Sequence, residues 1–256
     1  MSPEKFALAV AVAVFAGGAI GLVLQRILPE SSTTGGPRDM IGAVAGLLTL
    51  LSALTMGLLI WTAYGVYAGQ NAAIQSLAAK ALQLDLALAD YGPGAKDLRL
   101  QLRDGLGKTI DAVWRANDSD SNFVANNFAE ALRNLHTRDV ALDALQPSTA
   151  AQTQALAVAR ATSEAIGQSR LQMSFALASP VSYPLILIVV GWGVVLFCGF
   201  GLMSKGHMMS LIALIVGAIA IASAVYMILD LSNPYRGAFR VSPAPLEQVL
   251  AVRGTE

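Results

Sequence analysis

The chain has 256 residues, of which 55% are hydrophobic and 13% are charged, and its 17 basic residues balance 17 acidic ones. A mean hydropathy of +0.57 is too high for a soluble domain of this length, so the composition indicates a multi-pass membrane protein. The balanced charge offers no basic surface for nucleic acid, and a lone cysteine, Cys198, excludes an intramolecular disulfide. We therefore expect membrane lipid as a partner and no nucleic acid.

Residues Phe6 to Leu24 form the first apolar run, about 19 residues long, which is enough to cross a hydrocarbon core of about 30 Å. A cleaved signal peptide would have a shorter apolar region, of about 7 to 15 residues. Gly17 and Gly21 lie one helical turn apart and would let another helix approach closely. The run therefore predicts a transmembrane helix that packs against a neighbour.

The stretch from Met40 to Ala89 begins as a second apolar run and continues, without a proline, into a segment with heptad spacing. Apolar side chains recur at the a and d positions of this segment, and Gln70 occupies one of them. We predict one helix that leaves the membrane and becomes a coiled helix. A span, a turn near Ala68 and Gly69, and a separate helix would fit the same residues, but a glycine costs only about 1 kcal/mol in a helix.

Four hydroxyl side chains share one stripe of the second span, since residues in a helix are about 100° apart. They are Thr49, Ser52, Thr55 and Thr62. Such a stripe could line water, and these residues are our candidates for a pore lining. Alternatively, each hydroxyl bonds the carbonyl group one turn back, which is common in membrane helices. The sequence leaves both interpretations open.

Between residues 70 and 180 the sequence is less apolar and predicts a helical domain outside the membrane. Turn-forming residues interrupt the helical pattern at Tyr91 to Gly94, at Asn117 to Asn122 and at Gln146 to Ser148. The last helical segment, Thr149 to Ala178, is rich in alanine and weakly charged. We expect it to pack against other helices.

Two further apolar runs, Leu185 to Met203 and Met208 to Leu229, predict the third and fourth spans. The predicted fold is all-α, with these domains: 1–69 for transmembrane helices 1 and 2, 70–180 for the cytosolic helical domain, 181–230 for transmembrane helices 3 and 4, and 231–256 for the C-terminal tail. Five basic residues near span ends lie on the side of the insert and three on the other side. By the positive-inside rule, the N-terminus, the insert and the tail are cytoplasmic.

No motif for catalysis or metal binding is complete. Gly107 to Thr109 resembles the end of a phosphate loop, but Leu102 occupies the position of the first glycine and the surrounding pattern is helical. Asp118 and Asp120 resemble the start of a calcium loop that then lacks its glycine. We expect no enzymatic activity, no cofactor and no metal. Because no ionisable residue lies at mid-depth in a span, a channel fits better than an ion-coupled transporter.

Short motifs are spread over nearly the whole chain. They are Arg38-Asp39, Gly57-Leu58-Leu59, Leu84-Asp85, Tyr91-Gly92-Pro93, Arg99, Leu102-Arg103, Asp230, Asn233-Pro234, Gly237, Phe239-Arg240-Val241-Ser242 and Ala244-Pro245-Leu246. This arrangement resembles the bacterial bestrophin-like family. The chain departs from the family pattern at residues 61–70, where a lysine and a Ser-Phe pair are expected, and at residues 71–75, where an acidic residue is usual.

The resemblance implies a relation to bestrophins, which are oligomeric anion channels with long helices running from the bilayer into the cytosol. It therefore implies a homo-oligomer, a pentamer by analogy, which conducts small inorganic ions through an axial pore in the bacterial inner membrane. The charged residues of the motifs become candidates for charge pairs or for attracting anions: Arg38, Asp85, Arg99, Arg103, Asp230 and Arg240. We expect the two aspartates to pair with arginines. A non-conducting scaffold whose cytosolic coil binds partners is the alternative.

Overall fold

The computed structural model describes residues 2–29, 35–114, 133, 137–178, 182–204, 208–235 and 237–251. The α-helices are α1 (Pro3–Ile27), α2 (Gly36–Tyr91), α3 (Lys96–Trp114), α4 (Ala150–Ala178), α5 (Tyr183–Met203), α6 (Met208–Leu231) and α7 (Ala244–Ala251). Within the described ranges there is no β-strand, and the predicted all-α class is confirmed. The predicted break at residues 117–122 lies outside the described residues.

The chain divides into two compact units. The first unit comprises Met1–Gly65 and Val181–Ser232, and the second comprises Val66–Pro180 and Asn233–Glu256. The boundaries predicted from composition were residues 69, 180 and 230. Helix α2 contributes its first part to the first unit and its second part to the second unit.

Helix α2 is uninterrupted over 56 residues, so the prediction of a single long helix is confirmed and a turn near Ala68 and Gly69 is absent from this described stretch. The helix ends at Tyr91 because Gly92 adopts a φ of 97°, a conformation that residues with a Cβ rarely adopt. Pro93 then begins a short 3₁₀ turn, Pro93–Ala95, which leads directly into α3.

Four helices, α1, α2, α5 and α6, are long and apolar enough to cross a membrane, as predicted. In the first unit, α1 packs against α5 and α6. A Cβ at Gly17 would lie 2.6 Å from the carbonyl oxygen of Val194, and one at Gly21 would overlap the carbonyl group of Cys198. The two glycines of α1 therefore allow its backbone to touch that of α5, as their spacing predicts.

The second unit has a hydrophobic core built on α2 at the predicted heptad positions. Its buried apolar residues come from α2, α3, α4, the segment 137–143 and the residues after α6, and include Ile74, Leu77, Leu84, Leu88, Leu106, Leu142, Ile166, Tyr235, Val241 and Leu246. Gln70 is also buried, with 2% of its surface exposed. A long helix with one apolar seam thus organises this unit.

Candidate functional site

In its apolar part, α2 is the least covered of the four apolar helices. Only 11% of its most apolar 18-residue stretch is buried, compared with 28% to 39% of the corresponding stretches of the other three helices. Between residues 45 and 62, its most exposed large side chains recur every three or four residues: Leu47, Leu50, Leu54, Leu58 and Trp61. We call these five residues the apolar stripe. The described part of the chain leaves each of these five side chains more than half exposed.

Two of the four candidate pore hydroxyls bond their own helix. The Thr49 hydroxyl donates to the carbonyl of Ala45 at 2.7 Å, and the Thr62 hydroxyl donates to the carbonyl of Leu58 at 2.8 Å. These bonds are the ones expected if each hydroxyl of the second span bonds the carbonyl group one turn back, which was the second interpretation of the sequence. A hydroxyl bonded in this way has committed its proton to that bond and keeps only lone pairs, which can still accept a hydrogen bond from water. The pore-lining role of these residues stays a prediction.

The structure brings Thr49 and Ser52 together but separates them from Thr62. Thr49 and Ser52 line a pocket of about 260 Å³ with apolar residues of α5 and α6, including Phe197. The Oγ atom of Ser52 is buried and has no hydrogen-bond partner among the described residues. Thr55 is half-buried and Thr62 is exposed. At about 100° per residue, Thr55 and Thr62 lie nearer the apolar stripe than Thr49 and Ser52 do.

The candidate charges of the motifs have three different environments. Arg38, in the first turn of α2, and Arg240, after α6, are exposed, whereas Arg103 on α3 is half-buried and has interactions within the protein. Asp85 and Asp230 are buried, with 2% and 1% of their surfaces exposed. Of these five residues, Arg38 and Arg240 are therefore the most open to an approaching anion.

Asp85 and Arg99 form a bidentate ion pair. Arg99 donates from Nε and Nη2 to the two carboxylate oxygens of Asp85, at 3.2 Å and 3.1 Å. The Asp85 side chain is 3% exposed and the Arg99 side chain 29%. Because the turn at Gly92 folds α3 back after α2, residues 14 positions apart meet across the two helices. The pair joins the two helices of this hairpin beside the apolar core that they share.

Asp230 lies at the end of α6, where the helix dipole disfavours a negative charge. The side chain of Tyr226, one helical turn earlier, lies close enough to Asp230 to feel its charge. The predicted cationic partner of Asp230 stays a prediction. A tyrosine at this spacing was not among the partners that we expected from the sequence.

The sequence profile of the Bestrophin-like domain family matches residues 10–246. The chain belongs to this family. A crystal structure of a bacterial Bestrophin homolog from Klebsiella pneumoniae, a tryptophan-to-alanine variant, matches with a TM-score of 0.67 and 12% identity, covering 98% of this chain and 96% of the other. A tyrosine-to-alanine variant of the Klebsiella homolog matches with a TM-score of 0.62 and 13% identity, covering 95% and 96%. A comparison with curated proteins gives no match.

At these identities the structural matches establish the fold of the Bestrophin-like chain, and they extend over almost its full length. The resemblance read from the short motifs is thereby confirmed at the level of the family. In the described residues no three His, Cys, Asp or Glu side chains are grouped so that they could hold a metal ion.

Sequence reasoning missed a buried polar network in the second unit of the Bestrophin-like chain. The hydroxyl of Tyr235 donates to Oε1 of Gln70 at 2.7 Å, and Nε2 of Gln70 donates to the carbonyl of Met173 at 3.2 Å. Trp114 donates from Nε1 to the carbonyl of Val241 at 2.7 Å and packs edge-on against Tyr235. Burial raises the pKa of Tyr235. The one sequence signal was Gln70 at a heptad seam.

Proposed function

We propose that this Bestrophin-like protein is a homo-oligomeric channel of the bacterial inner membrane that conducts small inorganic anions along a path lined by α2. The observation that carries the proposal is the apolar stripe of α2, which the described chain leaves uncovered. Family membership supports it, because the resemblance implies oligomeric anion channels. We place the second unit in the cytoplasm on the basis of the charge asymmetry of the loops.

One chain has too few spans to enclose a path. Helix α1 packs on α5 and α6, whereas α2 is the least covered apolar helix of the first unit, so we assign the contact with other copies to α2. Several copies of α2 around an axis would present leucines to the path, and a ring of leucines can gate ions by excluding water. In this arrangement Thr55 and Thr62 flank the ring. The Thr62 hydroxyl donates to the carbonyl of Leu58 and would therefore contact the path through water that it accepts from.

Arg38 contributes to the preference for anions in this proposal. It is exposed in the first turn of α2, where unpaired backbone N–H groups also give a positive potential. Asp39, the next residue, offsets part of this charge. The resulting anion preference is therefore modest and is sensitive to ionic strength.

Chloride flux from liposomes tests the proposal. We expect flux with the protein and none in empty liposomes, and a flux several-fold higher for Leu54→Ala because the constriction widens. Ile219→Ala is the matched control, since Ile219 is an exposed apolar residue of α6. It should leave the flux unchanged. The reversal potential in a KCl gradient then reports the permeant ion, and a cation-selective current would overturn the anion assignment.

The scaffold function is favoured by one observation in the second unit. An open groove of about 430 Å³ lies between α2 and α4, lined by residues that include Gln83, Leu86, Asp90, Gln154 and Val158. Such a groove, with apolar and polar residues together, fits a partner helix. Absence of flux from protein that stays oligomeric, together with a partner that co-purifies and is lost in Leu86→Lys, would replace the channel by the scaffold. Neither function includes catalysis.

A further inference from the structure

The core of the second unit contains a pocket of about 130 Å³. Its walls are leucines and other apolar residues of α2 and α3, with Leu142 and Ile166 opposite. Protein interiors contain few voids larger than a water molecule, whereas a cavity of about 150 Å³ holds a benzene ring. The pocket therefore has room for an apolar group of roughly that size.

The rim of the pocket is polar and positively charged. Gln101 and Thr137, which are exposed, mark its open side, and two half-buried arginines, Arg138 and Arg170, lie beside them. Arg170 donates from Nη2 towards the hydroxyl of Thr109 at 3.5 Å. Two guanidinium groups at the mouth of a pocket with apolar walls form an environment that suits an anion with an apolar body.

Arg138 is held in place by Ser163 of α4. Its Nε atom donates to the Ser163 hydroxyl at 2.6 Å and its Nη2 atom donates to the Ser163 carbonyl at 3.2 Å. The same hydroxyl donates to Asp139 at 3.2 Å, so this carboxylate reaches Arg138 through the serine. Burial and the charge of Arg170 lower the pKa of Arg138 to about 10, although Asp139 opposes the change. Arg138 is thus a fixed cation, still protonated at neutral pH.

We propose that this pocket binds a small organic anion, a carboxylate with an apolar body about the size of a benzene ring, whose carboxylate is held by Arg138 and Arg170. Chloride would gain nothing from the apolar walls, and a neutral apolar molecule would form no charge-assisted hydrogen bond with the guanidinium groups. The site lies in the second unit and does not depend on the proposed ion path.

Benzoate is the probe that combines both features. The experiment measures binding to the purified full-length protein by calorimetry and by the shift of the unfolding temperature, at constant ionic strength. We expect one saturable benzoate site per chain and a higher unfolding temperature with benzoate. Benzyl alcohol should bind at least about tenfold more weakly and chloride should not compete, because a charge-assisted bond to arginine contributes about a factor of ten or more.

Two pairs of variants locate the site. Arg138→Gln should weaken benzoate binding by about tenfold or more, while Arg160→Gln, on an exposed arginine of α4 that pairs with Asp143, should not change it. Gly105 lines the pocket, and a Cβ there meets no atom within 4 Å. Gly105→Leu should therefore fill the pocket and abolish binding. Gly107→Leu, at an equally open position of α3 that is not among the described residues lining the pocket, should retain it.

The outcomes decide the proposal without any measurement of ion flux. Saturable benzoate binding that is lost in Gly105→Leu and kept in Gly107→Leu supports it, even if Arg138→Gln fails to fold. Three results would overturn it: no benzoate binding at millimolar concentration, equal affinity for benzyl alcohol, or unchanged benzoate affinity in folded Gly105→Leu.

Discussion

The two units of the chain are stabilised in different ways. In the first unit, α1 meets α5 through glycines whose missing side chains let one backbone touch another, and the contact contains no ion pair between described residues. In the second unit, heptad leucines close a core that also holds an ion pair and a network around Gln70. The first unit thus depends on close packing of helix backbones, and the second on buried leucines and paired polar groups.

This difference is the one expected for the proposed placement, with the first unit in the bilayer and the second outside it. Between helices in a bilayer, lipid tails are as apolar as leucine, so close packing of small residues drives association. Outside the bilayer, burial of leucine provides the driving force, and buried polar groups must find partners. The first unit should therefore be sensitive to added volume, and the second to lost hydrogen bonds.

The largest effect is expected for Gly21→Leu. A side chain there overlaps the carbonyl group of Cys198, and helix backbone has little room to yield, so α1 and α5 must separate. We expect a loss of about 3 kcal/mol of stability and little folded protein after extraction in detergent, measured by size-exclusion chromatography. Gly191→Leu, at a glycine of α5 with no atom within 4 Å of its Cβ position, is the control. Equal yields of both variants would contradict the backbone contact.

A smaller effect is expected for Asp85→Ala in the second unit. Loss of one partner of a buried ion pair costs about 3 to 5 kcal/mol, but Arg99 is 29% exposed and water will solvate it. We expect about 2 kcal/mol in thermal unfolding and no change in ion selectivity. Asp104→Ala removes a carboxylate from an exposed pair with Lys108 and should cost at most about 0.5 kcal/mol. Unchanged unfolding of Asp85→Ala would refute the structural role of the pair.

The smallest effect is expected for Tyr235→Phe, which removes one buried hydrogen bond to Gln70 and should cost about 1 kcal/mol at neutral pH. Burial raises the pKa of Tyr235 above its ordinary value of 10.0, so the folded chain holds a proton that the unfolded chain releases. The contribution of protonated Tyr235 to the free energy of unfolding is complete below pH 10 and is lost as the pH rises further. Unfolding measured between pH 8 and 11 should show the advantage of the wild type shrinking only above pH 10. An advantage that shrinks between pH 8 and 9 would contradict this assignment.

The fold was accessible from the sequence wherever local pattern decides it. The second apolar run continues into heptads across residues 60 to 88. Because no proline interrupts Met40 to Ala89, the sequence predicted one helix there, and α2 is that helix. Gly92 and Pro93 marked the end of that helix, because their backbone preferences act on one or two residues. Family motifs added Asp85 and Arg99, which turn out to face each other.

The site was less accessible because it depends on which side of a helix is covered. The helical spacing placed Ser52 and Thr55 on one stripe of the second span. Only the structure shows that Ser52 lies against α5 and that the leucines of the apolar stripe are exposed. The rim of the pocket in the second unit joins Arg138 and Arg170 to α2 and α3. No periodic pattern relates these residues, since their proximity depends on how three helices and the segment 137–143 meet.

The contact between Gln70 and Tyr235 also sets an order of events during synthesis. These residues are 165 positions apart in the chain, and Trp114 and Val241 are 127 apart. Both apolar helices α5 and α6 are translated between the partners. The hairpin of α2 and α3 can form early because Asp85 and Arg99 are near neighbours in sequence. The ribosome, however, must deliver α5 and α6 to the bilayer before the residues that complete the second core emerge. With the proposed topology, membrane insertion of the growing chain therefore precedes the last folding step of the second unit.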